Sequence, residues 1–444
     1  MRSHMPEIHA LDREPEGKAV LVAVSLDRTE EECDTSLREL EDLLTTAGGS
    51  AAAVVVQNRR TPDKATCVGK GKCEEIAALV SSDRDITLVV FDNDLSPSQI
   101  AAIEEIVGVR VIDRTMLILD IFALHAVTAE GKLQVEIACL KYTAPRLVGK
   151  GKAMSRLGGG IGTRGPGESK LESDRRHIRR RIEALTEELN ELERTRDVKR
   201  SHRAKSGIPS VAIVGYTNAG KSTLLNYLTN AGILAENKLF ATLDPTTRKL
   251  TLPSGTEAVL TDTVGFIDRL PTHLVRAFRS TLEELTECDC ILCLTDASEP
   301  VSERERKRAV TDQLIRDLHA DDKPLIEVYN KIDLIPKEDA VLFPGNAVEI
   351  SAATGEGVDR LLEEIDSVLS GGKTVETIFL PHSEAGLLNE LYRIAAVLDT
   401  AYREDGIYVT AKCDGKAKGR FRDRILPKSA REGGNAGDGS SVSG

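Results

Sequence analysis

The sequence predicts an α/β protein made of several units, and three observations carry that prediction. Segments with strand and helix character alternate from the N-terminal region onward, which is typical of a doubly wound, mainly parallel sheet. An apolar repeat with heptad-like steps then predicts a helical hairpin. A β-branched run at 211–214 leads into a glycine-rich loop and a helical pattern, which places a phosphate-binding motif in a second α/β unit.

The first unit is predicted to span residues 15–128 and to alternate strands with helices. Apolar runs of strand length predict the strands, and apolar residues recurring every three or four positions predict the helices. The strands are expected at Ala19–Leu26, Ala51–Gln57, Ile86–Phe91 and Val109–Asp113, and the helices at Ser36–Thr46, Cys73–Val80 and Pro97–Val107. The basic glycine turn Val68–Lys72 is conceivable as a second nucleotide site, but it lacks P-loop spacing, so a solvated turn or a phosphate-backbone contact is favoured.

Residues 129–206 are predicted to form an antiparallel helical hairpin. The segment 130–143 has an apolar helical face, and the longer segment 168–204 carries apolar residues from Ile178 to Leu192 in steps of four and three. A free-standing coiled-coil dimer is the competing interpretation of the same repeat.

Between these helices lies a loop, Arg146–Ser169, that is too rich in glycine to form a core. From Lys141 to Lys205 there are 18 Lys and Arg residues against 9 Asp and Glu, although the whole chain of 444 residues has a net charge of −12. A basic segment in an acidic protein suits binding to one polyanion. Arginine with glycine favours phosphate contacts, and the absence of aromatic residues from the loop disfavours stacking on single strands. We therefore expect the Arg146–Arg181 region to bind structured RNA, with a flexible solvated linker as the alternative.

The predicted nucleotide unit, 208–370, contains the pattern G-x-x-x-x-G-K-S between a strand and a helix. Its glycines let the backbone N–H groups surround phosphates, and the helix N-terminus favours negative charge. Lys221 is expected to contact the β- and γ-phosphates, and Ser222 to hold Mg²⁺. The residues expected to bind the phosphates here are Gly215, Asn218, Ala219, Gly220, Lys221, Ser222 and Thr223.

Further motifs follow in the order that a GTPase requires. Thr242 is expected to reach Mg²⁺ and the γ-phosphate, with Thr246 and Thr247 as less favoured alternatives. Asp262 would hold Mg²⁺ through water, and the Gly265 N–H would detect the γ-phosphate. The base is expected to bind Asn330, Lys331, Asp333, Ser351 and Ala352. The Asp333 carboxylate can accept both N1–H and N2–H of guanine, and losing that pairing costs on the order of 2–4 kcal/mol, which favours GTP over ATP.

One position departs from the Ras-like pattern. The residue after Gly265 is Phe266, where such GTPases have a glutamine that orients the attacking water. We therefore predict slow intrinsic hydrolysis, with water positioned by backbone groups or with the switches ordered by a partner. The catalytic set on this interpretation is Lys221, Thr242, Gly265 and Phe266.

The chain is expected to end in a small α/β unit, 373–428, and a glycine- and serine-rich tail, 429–444, predicted to be disordered. In the small unit we predict a strand at Val375–Leu380, a helix with apolar positions from Leu387 to Leu398, and a strand at Gly406–Ala411. The eight cysteines show no convincing metal or disulfide framework. No apolar run is long enough to cross a bilayer, so a cytoplasmic location is predicted.

The block Gly158–Glu168, followed by a P-loop and by Phe240–Pro245 and Asp262–Phe266, resembles the HflX family. The resemblance covers essentially all of the predicted ordered chain. It implies a translational GTPase that binds GTP, GDP and Mg²⁺, contacts ribosomal RNA of the large ribosomal subunit, and separates stalled or idle ribosomes under stress. It also implies a cytoplasmic protein, partly ribosome- or membrane-associated, and we expect a monomer.

Three functions are consistent with the motifs. The first is a GTPase that dissociates ribosomes, and the second is a GTP-gated checkpoint in assembly of the large subunit, without splitting activity. The third is an RNA-remodelling ATPase that uses the turn at Gly69–Lys72.

Overall fold

The computed structural model describes residues 17–26, 29–146, 166–205, 208–229, 239–240, 246–269, 284–336, 343–371, 374–413 and 415–426. The tail 429–444 and the loop at 147–165 lie outside these ranges.

The N-terminal unit (Lys18–His125) is a four-stranded parallel sheet with helices on both faces. In chain order its elements are β1 (Lys18–Leu26), α1 (Glu30–Thr46), β2 (Ser50–Arg59), α2 (Lys70–Ser82), β3 (Ile86–Phe91), α3 (Pro97–Val107), β4 (Arg110–Asp113) and α4 (Arg114–His125). The strand order is β2-β1-β3-β4. Alternate residues of β1 pack on opposite sides: Leu21 lies in the cluster that includes α1 and α4, and Val22 lies in the one that includes α2 and α3. The predicted doubly wound arrangement is confirmed.

Capping groups explain where the helices of this unit begin. Thr29 and Glu32 form a capping box at the start of α1, and Ser96 and Gln99 form another before α3. α1 starts six residues earlier than the predicted Ser36, because its first turn is acidic and exposed rather than apolar.

The hairpin consists of α5 (Ala129–Thr143) and α6 (Pro166–Lys205). Leu133, Ile137 and Leu140 of α5 pack against Leu185, with Ile178, Ile182, Leu189 and Leu192 around them. Arg181 also donates to Glu136 over 2.8 Å. The heptad seam of α6 is therefore covered by α5 of the same chain, which favours the hairpin over the coiled-coil dimer.

The central unit (Ser210–Leu369) contains the P-loop at the carboxyl end of a six-stranded sheet. Its elements are β5 (Ser210–Gly215), α7 (Lys221–Thr229), β6 (Thr246–Thr251), β7 (Glu257–Asp262), β8 (Cys290–Asp296), α8 (Val301–Asp317), β9 (Leu325–Asn330), β10 (Val348–Glu349) and α9 (Val358–Leu369). The order is β10-β9-β8-β5-β7-β6, and β6 alone runs antiparallel to its neighbour. Parallel strands bring the ends of β5, β7 and β9 to one edge, where ligands bind in such sheets.

The C-terminal unit (Thr374–Arg424) has three strands rather than the two that the sequence predicted. Its elements are β11 (Thr374–Leu380), α10 (Leu387–Ile394), β12 (Ala396–Arg403), β13 (Gly406–Cys413) and α11 (Gly415–Arg420), with sheet order β11-β13-β12. The prediction that the helix continues to Leu398 is wrong. The last helical bond is Ala395 N–H to Leu391 O, and Leu398 sits at an irregularity in β12 where that strand pairs with β13.

Candidate nucleotide site

The P-loop backbone requires glycine at two points. Gly215 has φ of 152°, and a Cβ there would lie 2.4 Å from the carbonyl oxygen of Leu294. Gly220 has φ of 91°, and its Cβ would lie 2.2 Å from the Asn330 side-chain nitrogen. Asn218, with φ of 63°, makes the intervening turn. These close approaches fold the loop back over the end of β5 before α7 begins.

Lys221 is the buried cation of this loop, and 7% of its surface is exposed. Its ammonium donates to the carbonyl oxygens of Gly215 over 3.2 Å and Tyr216 over 2.9 Å. Burial lowers its pKa to about 8, although the Asp262 carboxylate acts in the opposite direction. A phosphate placed here would stabilise the charged form of the lysine.

Asp262 and Gly265, at the end of β7 and just beyond it, lie against the P-loop. The Ser222 hydroxyl donates to Oδ2 of Asp262 over 2.7 Å, and Asp262 is completely buried. A Cβ on Gly265 would lie 3.0 Å from Nζ of Lys221 and 2.8 Å from Cγ2 of Thr217. The fold therefore brings together the predicted γ-phosphate detector and the predicted phosphate-binding lysine.

Phe266 points into the core of the central unit rather than toward the P-loop. Its side chain is 1% exposed and packs among Val214, Leu285 and Ile291. Its backbone is tied to the loop, since Thr217 N–H donates to Phe266 O over 2.7 Å and Phe266 N–H donates to Gly215 O over 3.1 Å. Phe266 therefore anchors the segment that follows β7 and offers no side-chain group to a water molecule.

The predicted base-binding residues converge on the other side of the loop. Asn330 donates to the carbonyl oxygen of Ala219 over 2.8 Å and accepts from Ala352 N–H over 2.9 Å, so it joins the two loops. Lys331 has φ of 66° and pairs with Asp296 over 2.7 Å. Ser351 caps its own turn by accepting from Thr354 N–H over 3.1 Å. Asp333 stands exposed on a short 3-10 turn, where its carboxylate is accessible to a base.

Two predicted features lie outside the described residues. Thr242 falls in the gap 241–245, and most of the predicted loop Arg146–Ser169 falls in the gap 147–165. The predicted end of that loop is wrong, because α6 already begins at Pro166. Thr223 lies in the first turn of α7, partly buried.

The cysteines and the helices of the described ranges were also compared with the predictions for them. Every cysteine is a buried free thiol, and Cys290 and Cys293 lie in β8. The described side chains include no group of three or more His, Cys, Asp or Glu suited to a metal ion. The described helices include none that is long and apolar enough to cross a membrane.

One set of residues beside the P-loop was not predicted from the sequence. Tyr216 of the loop contacts Glu39 of α1, and Arg269 beyond β7 contacts Asp92 after β3. These pairs are 177 residues apart in each case, so no local motif could have predicted them.

Comparison with known proteins identifies the family of the chain. Four family models match consecutive parts of the chain: "GTP-binding GTPase N-terminal" at 34–123, "GTP-binding GTPase Middle Region" at 125–203, "50S ribosome-binding GTPase" at 210–331 and "HflX C-terminal domain" at 340–419. GTPase HflX of Lacrimispora saccharolytica is 49% identical over 401 residues, which is 90% of this chain and 94% of that protein. The chain belongs to the HflX family of GTPases. GTPase HflX of Escherichia coli is 42% identical, over 88% of this chain and 91% of that one.

Membership of the HflX family establishes the reaction as GTP hydrolysis and confirms GTP as the substrate. Among solved structures, a GTP-binding protein from Sulfolobus solfataricus in complex with GDP aligns with 80% of this chain and 99% of its own, at 23% identity and a TM-score of 0.43.

Proposed function

We propose that this GTPase binds the large ribosomal subunit and dissociates stalled or idle ribosomes under stress. The observation that carries the proposal is a row of arginines on the first described turns of α6, just after the glycine-rich loop. Arg175, Arg176, Arg179 and Arg180 are all exposed, and within the described part of the chain none of them forms an ion pair. Arg181, the next residue, is instead paired with Glu136 of α5.

Such a row suits an RNA backbone better than a protein surface. Exposed guanidinium groups with no carboxylate partner among the described side chains keep their bidentate donors available for phosphates. They are mounted on a helix that α5 holds in place, so their spacing is fixed before binding. The family description "50S ribosome-binding GTPase", which matches 210–331, supports a ribosomal identity for that RNA.

Within the nucleotide site, we assign the predicted residues to roles that the geometry permits. The backbone from Gly215 to Thr223 surrounds the phosphates with Lys221 at its centre. Asn330 fixes the base-side loops, and Asp333 pairs with guanine beside Ser351 and Ala352. Gly265 reports the γ-phosphate, because it already lies beside Lys221.

We also propose that the site takes Mg²⁺. The Ser222 hydroxyl and the buried Asp262 carboxylate face each other at 2.7 Å, and hard oxygen donors of this kind suit Mg²⁺. Ser222 and Thr242 would be direct ligands, with Asp262 holding the ion through water. Bound Mg²⁺ would neutralise charge that develops on the β- and γ-phosphates.

Sucrose-gradient sedimentation tests the ribosomal proposal. Intact ribosomes are mixed with the protein and a non-hydrolysable GTP analogue, and conversion to free subunits supports dissociation. Co-migration with immature large subunits alone would instead support an assembly checkpoint and contradict the splitting role. Absence of the protein from every ribosomal fraction would contradict both.

A pair of variants makes the same experiment specific to the arginine row. Arg179→Gln with Arg180→Gln removes two exposed charges from the row, and Arg194→Gln with Arg316→Gln removes two exposed charges elsewhere. Each phosphate contact contributes to the salt dependence of binding, with a log–log slope of about −0.7 to −0.9 per contact. We expect the first pair to weaken binding and to reduce the steepness of the log–log salt dependence by the amount that corresponds to about two phosphate contacts. The control pair should change neither the affinity nor the slope.

A further inference from the structure

A tyrosine in the P-loop joins the nucleotide site to the N-terminal unit. The Tyr216 hydroxyl donates a hydrogen bond to Oε1 of Glu39 on α1 and accepts one from Asp268 N–H over 2.7 Å. The side chain is 5% exposed, and Lys307 lies over its ring with Nζ 5.0 Å from the centroid. Burial and the Glu39 carboxylate both raise the pKa of Tyr216, so the hydroxyl keeps its proton and remains a donor.

Glu39 is itself held by a buried arginine. Arg114, at the start of α4 and 2% exposed, pairs with Glu39 and also with Asp92 over 3.1 Å. Its guanidinium also reaches the Asp268 carbonyl oxygen over 3.4 Å. The Tyr216 hydroxyl and Arg114 thus hold the backbone of Asp268 from its N–H and its C=O, and both depend on Glu39.

Side chains of the same segment add to this contact. Arg269 forms an ion pair with Asp92 over 2.9 Å, and Arg306 of α8 pairs with the Asp268 carboxylate over 3.1 Å. The burial of Asp92 opposes its ionisation, but Arg269 and Arg114 outweigh that effect and hold the pKa of Asp92 below its ordinary value. The N–H, C=O and carboxylate of Asp268 and the guanidinium of Arg269 therefore all have charged or hydrogen-bonding partners.

This fixed segment lies three residues beyond Gly265, in a GTPase without a water-positioning glutamine. Phe266 is anchored in the core, so the backbone between Gly265 and Asp268 is tied at both ends. Backbone groups can orient a water molecule only if their own positions are fixed. We propose that the Tyr216 hydroxyl is a positioning group for GTP hydrolysis, and that Glu39 of the N-terminal unit holds it in place. The proposal concerns hydrolysis alone and does not depend on a ribosomal partner.

The variant Tyr216→Phe removes the hydroxyl and keeps the ring, and Tyr402→Phe is a matched control on an exposed tyrosine of the C-terminal unit. We expect kcat for GTP to fall about tenfold in Tyr216→Phe, the loss associated with one such hydrogen bond. Affinity for GDP and for a GTP analogue should change less than twofold, because the hydroxyl faces the N-terminal unit. A kcat that is unchanged or raised, or an equal loss of kcat and nucleotide affinity, would overturn the proposal.

A double-mutant cycle separates positioning from general loss of structure. Glu39→Gln keeps the size of the side chain but leaves an amide where the tyrosine and Arg114 both need an acceptor. If both residues act through one contact, Glu39→Gln also lowers kcat. The kcat of the double variant should then lie within about twofold of that of Tyr216→Phe. Independent, multiplicative effects, or a Glu39→Gln variant with normal kcat, would contradict the proposal. Unfolding temperatures of all three variants show whether the kinetic assays are made on folded protein.

Discussion

The Ser222 hydroxyl donates to Oδ2 of Asp262 over 2.7 Å, across the gap between the start of α7 and the end of β7. The two residues are 40 positions apart, and parallel pairing of β5 with β7 brings them together. The proposed Mg²⁺ would bind at this contact. The serine hydroxyl can rotate away from the carboxylate and toward a cation without any movement of the backbone.

From this relationship we predict that Ser222→Ala lowers kcat for GTP by about 10²–10³-fold, because it removes a ligand of the proposed Mg²⁺. The Mg²⁺ concentration for half-maximal turnover should rise as well. Ser370→Ala, at the end of α9, is the control and should match the unaltered protein. Turnover measured over a Mg²⁺ titration decides the point, and an unchanged Mg²⁺ requirement would contradict the assignment.

Asp333 sets the base preference on this account. Asp333→Asn replaces a double acceptor with a donor and an acceptor, which mismatches guanine but matches the C2 carbonyl and N1–H of xanthine. We expect GTP affinity to fall about 30- to 1000-fold, equivalent to on the order of 2–4 kcal/mol, and affinity for the xanthine nucleotide to rise. Competition binding with both nucleotides measures this. Asp359→Asn, an exposed residue in the first turn of α9, should leave the preference intact.

Nucleotide binding should depend on pH through Lys221. Burial lowers its pKa to about 8 from a usual 10.5, and phosphates favour its charged form. Above pH 8 the nucleotide-free lysine is largely neutral, so binding must recruit a proton. We predict that affinity for GDP falls between pH 7 and 9, approaching tenfold per pH unit at the upper end. Lys221→Met should bind more weakly and show a flatter pH profile; a variant that retains the full slope would show that another group is responsible.

We predict a second pH effect, on folding stability, from Asp120, which is buried in α4. Burial raises its pKa to about 7, while Arg110 acts in the opposite direction. Between pH 4 and 7 the folded state keeps a proton that the unfolded state loses, so this residue reduces stability as pH rises. Asp120→Asn should therefore match the unaltered protein near pH 4 and exceed it above pH 7 by about 2–4 kcal/mol. Urea unfolding at both pH values measures this, with the exposed Asp322→Asn as control.

The sequence predicted most of the N-terminal unit because its strands and helices alternate and are separated by polar turns. β3 and α3 are observed at the predicted residues, Ile86–Phe91 and Pro97–Val107. α4 was missed for a physical reason: residues Arg114 to Phe122 are all buried, so the helix has no polar face and no helical period. In the C-terminal unit, Leu391, Ile394 and Leu398 have helical spacing, but pairing with β13 places Leu398 in a strand.

The nucleotide site also has parts that the sequence predicted and parts that it did not. The phosphate and base motifs could be read from the sequence because each lies within a few residues of a strand end. The contact between Tyr216 and Glu39 could not, because it depends on how the N-terminal unit packs against the P-loop. For Phe266, the sequence showed that the water-positioning glutamine is absent. Its burial against Leu285 and Ile291 could be seen only in the structure.

We also propose that binding to ribosomal RNA stimulates GTP turnover, because Phe266 stands where a water-positioning glutamine would otherwise follow Gly265. A single kinetic comparison tests this coupling. GTP turnover is measured with and without purified large ribosomal subunits, for the unaltered protein and for the Arg179→Gln, Arg180→Gln double variant. We predict at least about tenfold stimulation by the subunits. The stimulation should be smaller in the double variant, whose basal rate should be unchanged. Equal turnover with and without the subunits would contradict it.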